Sequence, residues 1–148
     1  MNIQFIDNTS IEVIDYNLLK IWIVESVAFE KRIIGNLSFV FMTDDELLDY
    51  NIKYLNHDYY TDVITFDDSR NNVIGGDILI SVDRIKDNSN TLNTEYWKEF
   101  LRVIIHGVLH LCGYGDKSDC EIEIMRGKED YYLGRINFNP FVSRETLK

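Results

Sequence analysis

Three residues in the C-terminal half carry side chains of the kind that hold a divalent cation. They are His106, His110 and Asp116, in the run His106-Gly107-Val108-Leu109-His110-Leu111-Cys112-Gly113-Tyr114-Gly115-Asp116. Residues four apart on a helix share a face, so the two imidazoles can point at one ion. Gly113 can take the left-handed backbone that ends a helix and reverses the chain, which brings Asp116 back toward the same point as a third ligand. Two histidines and a carboxylate leave one coordination position open for water or substrate, as a catalytic zinc requires. The histidine spacing alone also fits a pair of hydrogen-bonded core histidines; the glycine turn and the acid beyond it favour the metal. Zinc-protease helices of this shape carry Glu beside the first His as general base. Gly107 stands there in this chain, so peptide hydrolysis lacks its base.

The elements that must deliver these side chains follow from periodicity. From Glu95 to Cys112 the apolar positions nearly encircle the helix beyond Val103, the pattern of a helix buried at the centre of a domain, with Gly113 as its stop. Ser118 to Gly134 reads as a last amphipathic helix with Ile122, Met125, Tyr132 and Leu133 facing inward. Upstream, Ile3 and Phe5 mark a first strand, and Tyr16 to Lys31 carries Leu18, Leu19, Trp22, Ile23, Ser26 and Val27 at helical spacing. Ile33 to Met42 is β-rich, and Thr43-Asp44-Asp45-Glu46 opens a second helix that runs to Leu55. Asp62 to Phe66 and Val73 to Ser81 form two strands joined by a polar turn, hence an antiparallel pair. A polar stretch from Asp87 to Thr94 then reads as a connector. Four strands with interleaved helices, followed by two consecutive helices, predict an α+β fold. Residues 1–148 form a single domain, with helices packed on a small mixed sheet and the metal-site helix buried.

Composition narrows the class of partner. The chain has 148 residues, 45% hydrophobic and 27% charged, with one proline and eight glycines, which suits one soluble globular domain without a long linker. Lys and Arg number 15 against 25 Asp and Glu, giving a formal charge of −10. That excludes a protein-wide attraction to nucleic acid or anionic membrane; a polyanion must be met by a local basic patch or a bound cation. The two cysteines fit a reducing cytosol, and neither a signal peptide nor a membrane span is present, so a cytoplasmic protein is expected.

The run from His106 to Glu129 resembles the YbeY family of bacterial rRNA maturation factors. These are single-domain, metal-dependent endoribonucleases with the signature HGxLHLxGYDH followed by Glu and Met. The matching residues are His106, Gly107, Leu109, His110, Leu111, Gly113 and Tyr114, then Glu121, Met125 and Glu129. Leu55-Asn56 with Thr61-Asp62-Val63-Ile64-Thr65-Phe66 is similar to the family's TDVLSF strand, and Gly76-Asp77-Ile78 with Ile80-Ser81 to its GDI strand. The resemblance implies a single-strand-specific endoribonuclease that matures rRNA, at the 16S 3′ end, and serves ribosome quality control. Its implied partners are rRNA precursors and the small ribosomal subunit, without DNA or membrane, and its implied cofactor is one Zn2+ or another divalent ion. A ribosome-associated binding protein with a structural metal is the alternative, favoured by the acidic balance.

Two departures from the family pattern stand out. Asp116, preceded by Gly115, occupies the place of a third histidine, which lowers the positive charge of the centre by about one unit and acidifies bound water less. Only His57-Asp58-Tyr59-Tyr60 separates Asn56 from Thr61, so the family's arginine in this segment has no counterpart. The basic residues nearest the site in sequence are Arg70, Arg84, Lys86, Arg102, Lys117, Arg126 and Lys128, and Lys117 beside Asp116 is the catalytic candidate among them. Tyr59, Tyr60 and Tyr114 could stack on bases, and His57 is an accessory acid or base or simply a loop histidine. Cys112 reads as a small buried apolar residue, Cys120 has no CxxC partner, and Met125 packs beneath the metal helix. Asp62 reads as ordering its strand entry, and Gly75-Gly76 before Asp77 as a bulge or a close backbone approach.

Overall fold

The computed structural model describes residues 1–9, 13–136 and 138–142. In chain order the elements are β1 (Asn2–Asp7), β2 (Val13–Ile14), α1 (Tyr16–Phe29), β3 (Ile33–Met42), α2 (Asp44–Leu55), β4 (Val63–Asp67), β5 (Val73–Ser81), α3 (Val82–Leu92), α4 (Tyr96–Leu111), α5 (Asp119–Leu133) and β6 (Phe141–Val142). Four strands form a mixed sheet in the order β1-β3-β5-β4, with β1, β3 and β5 parallel and β4 antiparallel to β5. This is the predicted α+β architecture, and the predicted pairing of β4 with β5 is present.

Strand alternation divides the helices between the two faces of the sheet. On β3, Leu37, Phe39 and Phe41 point to the side that holds α1, α4 and α5, where they meet Trp22, Phe100 and Ile104 in the main core. Val40 and Met42 point the other way, onto Leu47 of α2, with Ile64 and Leu79 beside them. The polar end of β5 obeys the same alternation: Ser81 donates to Asp44 at the start of α2 at 2.8 Å. Helix α4 is the hub, with Phe100, Leu101, Ile104, Ile105, Val108 and Leu109 all essentially inaccessible.

Sequence expectations and structure part at three places. The polar stretch from Asp87 to Thr94 is largely helical: it is the second half of α3, which buries only Val82, Ile85 and Ser89. A stripe that narrow leaves too little apolar periodicity to register, although Ser81 caps the helix and Asn93, at φ 55°, ends it. Three consecutive helices therefore follow β5 where two were expected. Pro140 lies beside β6, which pairs with β2 in a two-stranded antiparallel sheet that neither short segment announced. Ile122 is exposed, because the buried face of α5 is carried by Met125, Glu129 and Tyr132. Residues 143–148 of the predicted domain lie outside the described residues.

Two glycines do particular work. The expected bulge is real: between Ile34 and Leu37 two residues of β3 stand against Gly75 alone, and the next residue, Gly76, has a φ of +136° and a close approach to the Phe66 carbonyl that exclude a side chain. Gly107 is the point where α4 touches β5; a Cβ there would lie 2.8 Å from the Ile78 Cγ2 atom. The residue that cannot serve as a general base is thus what lets α4 lie close on the sheet.

Gly107→Ala should lower stability to urea, because overpacking costs about 1–3 kcal/mol while alanine gains only about 1 kcal/mol as a helix former. Gly127→Ala, on the open face of α5 with nothing within 4 Å of its Cβ, should raise stability by about 1 kcal/mol. Equal effects from the two substitutions would contradict the packing described.

Candidate metal centre and cleft

Arg102, His106 and His110 recur every four residues along α4 and so lie on one face, the part of its circumference left open by the core. Gly113, at φ +103°, turns the chain after Cys112, and the following residues bring Asp116 back over that face. The two ring nitrogens His106 Nε2 and His110 Nε2 are 2.9 Å apart, and Asp116 Oδ2 lies 3.4 Å from the first and 3.2 Å from the second. All three side chains are brought together as the sequence predicted.

The opposite nitrogen of each ring is already committed. His110 Nδ1 lies 2.9 Å from the Tyr114 carbonyl oxygen, which can only accept, so this nitrogen carries the proton. His106 Nδ1 donates to Glu129 Oε2 at 2.7 Å. In the neutral rings both Nε2 atoms then present lone pairs, facing one another and a carboxylate oxygen, an arrangement that repels itself unless a cation lies between. A tetrahedral zinc with Zn–N bonds of ~2.0–2.1 Å holds its donor atoms roughly 3.3–3.4 Å apart. The two carboxylate–nitrogen spacings are close to this, the ring nitrogens lie somewhat nearer one another, and the chemistry of the three donors fits such an ion.

Charge around the centre is arranged in layers. Arg102 joins Glu129 Oε1 at 2.8 Å and Asp130 Oδ1 at 2.7 Å. Burial works to raise the Glu129 carboxyl, but its bonds to His106 and Arg102 prevail and hold it below the usual range. His106 shows the mirror image: burial disfavours its charge, and Glu129, Asp62 and Asp116 outweigh it and raise its pKa. Asp62 and Glu99 face the same cleft, and burial pushes both carboxyls up. The cleft encloses about 380 Å3 between α4 and α5.

Of the basic residues singled out from sequence, Arg102 and Arg126 line this cleft. Lys117 is exposed and does not line it. Arg84 is paired with Asp44 at 2.6 Å, Lys128 with Glu30 at 3.2 Å, Lys86 lines a separate groove beside Trp97, and Arg70 another beside Asp68. Tyr60 donates to Asp45, and His57 stacks on Tyr59 and shares a hydrogen bond with it. Cys112 is buried, with its thiol pushed up to about 11, which suits the apolar role predicted; Cys120 is an exposed free thiol. Met125 is buried against α4 as expected. Sequence reasoning read Asp62 as a strand-entry residue and passed over Glu99, although Arg102 one turn before His106 was a signal that the face extends toward the start of α4.

The turn that carries Asp116 is anchored from behind. Glu30 at the end of α1 accepts from the Tyr114 hydroxyl at 2.6 Å, from the Lys128 ammonium at 3.2 Å and from the Tyr132 hydroxyl. Tyr114 thus holds His110 with its carbonyl while its hydroxyl ties the turn to α1 and α5.

The family model described as "Endoribonuclease YbeY" matches residues 2–137. The chain belongs to the YbeY family. Curated relatives agree. The Endoribonuclease YbeY of Christiangramia forsetii is 47% identical over 109 residues, 74% of this chain and 76% of the relative. That of Bacteroides fragilis is 46% identical over 112 residues, 76% and 81% of the two chains. That of Karelsulcia muelleri is 51% identical over 112 residues, 76% and 79%. The solution structure of a Thermotoga maritima protein superposes with a TM-score of 0.61 at 28% identity, covering 90% of this chain and 87% of that one. The YbeY resemblance read from the motifs therefore extends over nearly the whole chain.

Burial works to raise the Glu30 carboxyl, but bonds from Tyr114, Tyr132 and Lys128 hold it below the ordinary glutamate value of 4.5. A depressed carboxylate contributes stability that is fully present above that value and is lost as pH falls through the folded one. Metal-free wild type should therefore exceed Glu30→Gln in urea stability by a constant margin near neutral pH, and the margin should shrink in acid. A margin that stays constant into acid would contradict this anchor.

Proposed function

We propose that this YbeY-family chain is a metal-dependent, single-strand-specific endoribonuclease that acts in the cytoplasm on rRNA precursors, at the 3′ end of 16S rRNA, and in ribosome quality control on the small subunit. Among the described residues no helix is long and apolar enough to cross a membrane. The observation that carries the reading is the convergence of His106 Nε2, His110 Nε2 and Asp116 Oδ2 on one point, beside a cleft that His106 and Asp116 line. These three residues would hold the ion, most suitably zinc, through two nitrogens and one oxygen with a position left open. When bound, it supplies a Lewis acid for a phosphoryl oxygen or a water.

The chain's own residues do the remaining work. Glu129 and the Tyr114 carbonyl fix the ring orientations, and Arg102 pairs with the other oxygen of Glu129. Asp62 lines the cleft on the side of His106, and its carboxyl, raised by burial, is the group we assign to accept the proton of the attacking oxygen. Attack by the RNA 2′-hydroxyl breaks the P–O5′ bond, leaving a 2′,3′-cyclic phosphate and a 5′ oxygen that takes a proton from solvent; attack by water breaks a P–O bond in the same way and leaves a non-cyclic phosphate. The binding-protein alternative predicts a bound metal without cleavage, whereas family membership supports cleavage.

Purified without a histidine tag, the protein should contain about one divalent ion per chain. Glu129→Gln should weaken metal affinity about 10–100-fold in competition with a chromophoric chelator. An unchanged metal content in both His110→Ala and Asp116→Ala would refute the site.

The metal-loaded protein should cut a single-stranded rRNA fragment, and chelator or His110→Ala should abolish the cut. Asp62→Asn should lower kcat about 10²–10⁴-fold with metal content unchanged. Cleavage that survives both chelator and His110→Ala would remove the proposed function.

A further inference from the structure

Four acidic side chains face the cleft, Asp62, Glu99, Asp116 and Glu129, in a chain of formal charge −10. A polyanion that enters such a space needs a cation not already spent on the protein's own carboxylates. Among the described residues two arginines line the cleft. Arg102 is spent: its two terminal nitrogens are bound to Glu129 and Asp130. Arg126 is exposed and forms no ion pair or side-chain hydrogen bond among the described residues.

Placement adds to this. Ile122, Met125, Arg126 and Glu129 recur along α5 at the spacing of one helical stripe, and all four line the cleft. Arg126 thus rises from the same face as the carboxylate that orients His106, one turn nearer the start of the helix. Its electrostatic neighbour is Glu99 on the facing wall. An arginine fork also matches two phosphate oxygens at once, where a lysine offers a point charge.

We propose that Arg126 grips the phosphodiester backbone of single-stranded RNA in this cleft, as the substrate-positioning cation of a chain whose segment between Asn56 and Thr61 has no arginine. The assignment rests on the endoribonuclease reading above. Lys117, the candidate favoured by sequence proximity, points to no such role from its exposed position outside the cleft.

The test is the steady-state cleavage of a single-stranded RNA oligomer by the metal-loaded protein over a range of salt concentrations. Arg126→Gln should raise KM about tenfold, the size of one charge-assisted hydrogen bond, with kcat little changed. The slope of log KM against log salt should become shallower by about 0.7, the share of one phosphate contact on a single strand. Arg126→Lys should restore that slope and only part of the affinity. Lys53→Gln, an equal charge change on exposed α2 across the sheet, should match wild type. Metal content and thermal unfolding of Arg126→Gln should also match wild type, which a merely structural role would not allow. A wild-type KM and salt slope in Arg126→Gln, or a slope change at Lys117→Gln in its place, would overturn the proposal while leaving the endoribonuclease reading intact. A wild-type protein that neither binds nor cuts the oligomer would overturn both, and is recognised by its occurring before any substitution is made.

Discussion

The hydrogen bond from His106 to Glu129 and the one from His110 to the Tyr114 carbonyl decide what the centre can be. Each removes a proton-bearing nitrogen from play and turns a lone pair toward a shared point. Without those partners the rings could rotate, or share a proton with one another, and the proximity of Asp116 would be an ordinary surface contact. The partners in turn depend on others. Glu129 is buried on α5, where its bonds to His106 and Arg102 outweigh burial and lower its carboxyl, and Tyr114 is tied by its hydroxyl to Glu30. Four elements, α1, α4, α5 and the turn between the last two, therefore meet at one small volume, and the central position of α4 in the core follows from that requirement.

The same requirement explains where residues of small size or unusual backbone stand. Gly107 allows α4 to lie against Ile78 of β5, and Gly113 allows the chain to reverse within three residues of His110. Neither position contributes a functional atom. Both set distances that the ligating atoms inherit, and a methyl group at Gly107 would be met by a side chain that is itself fully buried.

Much of this was legible in the residues alone because the signals were strong and local. The four-residue spacing of His106 and His110, the glycine three positions later and the continuous apolar surface beyond Val103 each correspond to one geometric fact about α4. What escaped had weak or distant signals. Helix α3 buries a stripe only three residues wide, so its polar composition resembles a connector. The pairing of β2 with β6 joins positions more than a hundred residues apart, which no periodicity reports. Asp62 and Glu99 come to the cleft from β4's leading edge and the first turn of α4, through packing that spacing along one helix does not reveal. Ile122 misled because α5 turns a buried carboxylate, Glu129, inward where an apolar residue would be expected.

The account stands or falls on the donor atoms around a bound ion. X-ray absorption at the zinc edge of the loaded protein should show two imidazole nitrogens and oxygen scatterers at about 2.0–2.2 Å, without sulfur at about 2.3 Å, and the imidazole signal should be lost in His110→Ala. A thiolate shell from Cys112 or Cys120, or a spectrum identical in His110→Ala, would place the metal elsewhere and contradict the centre described.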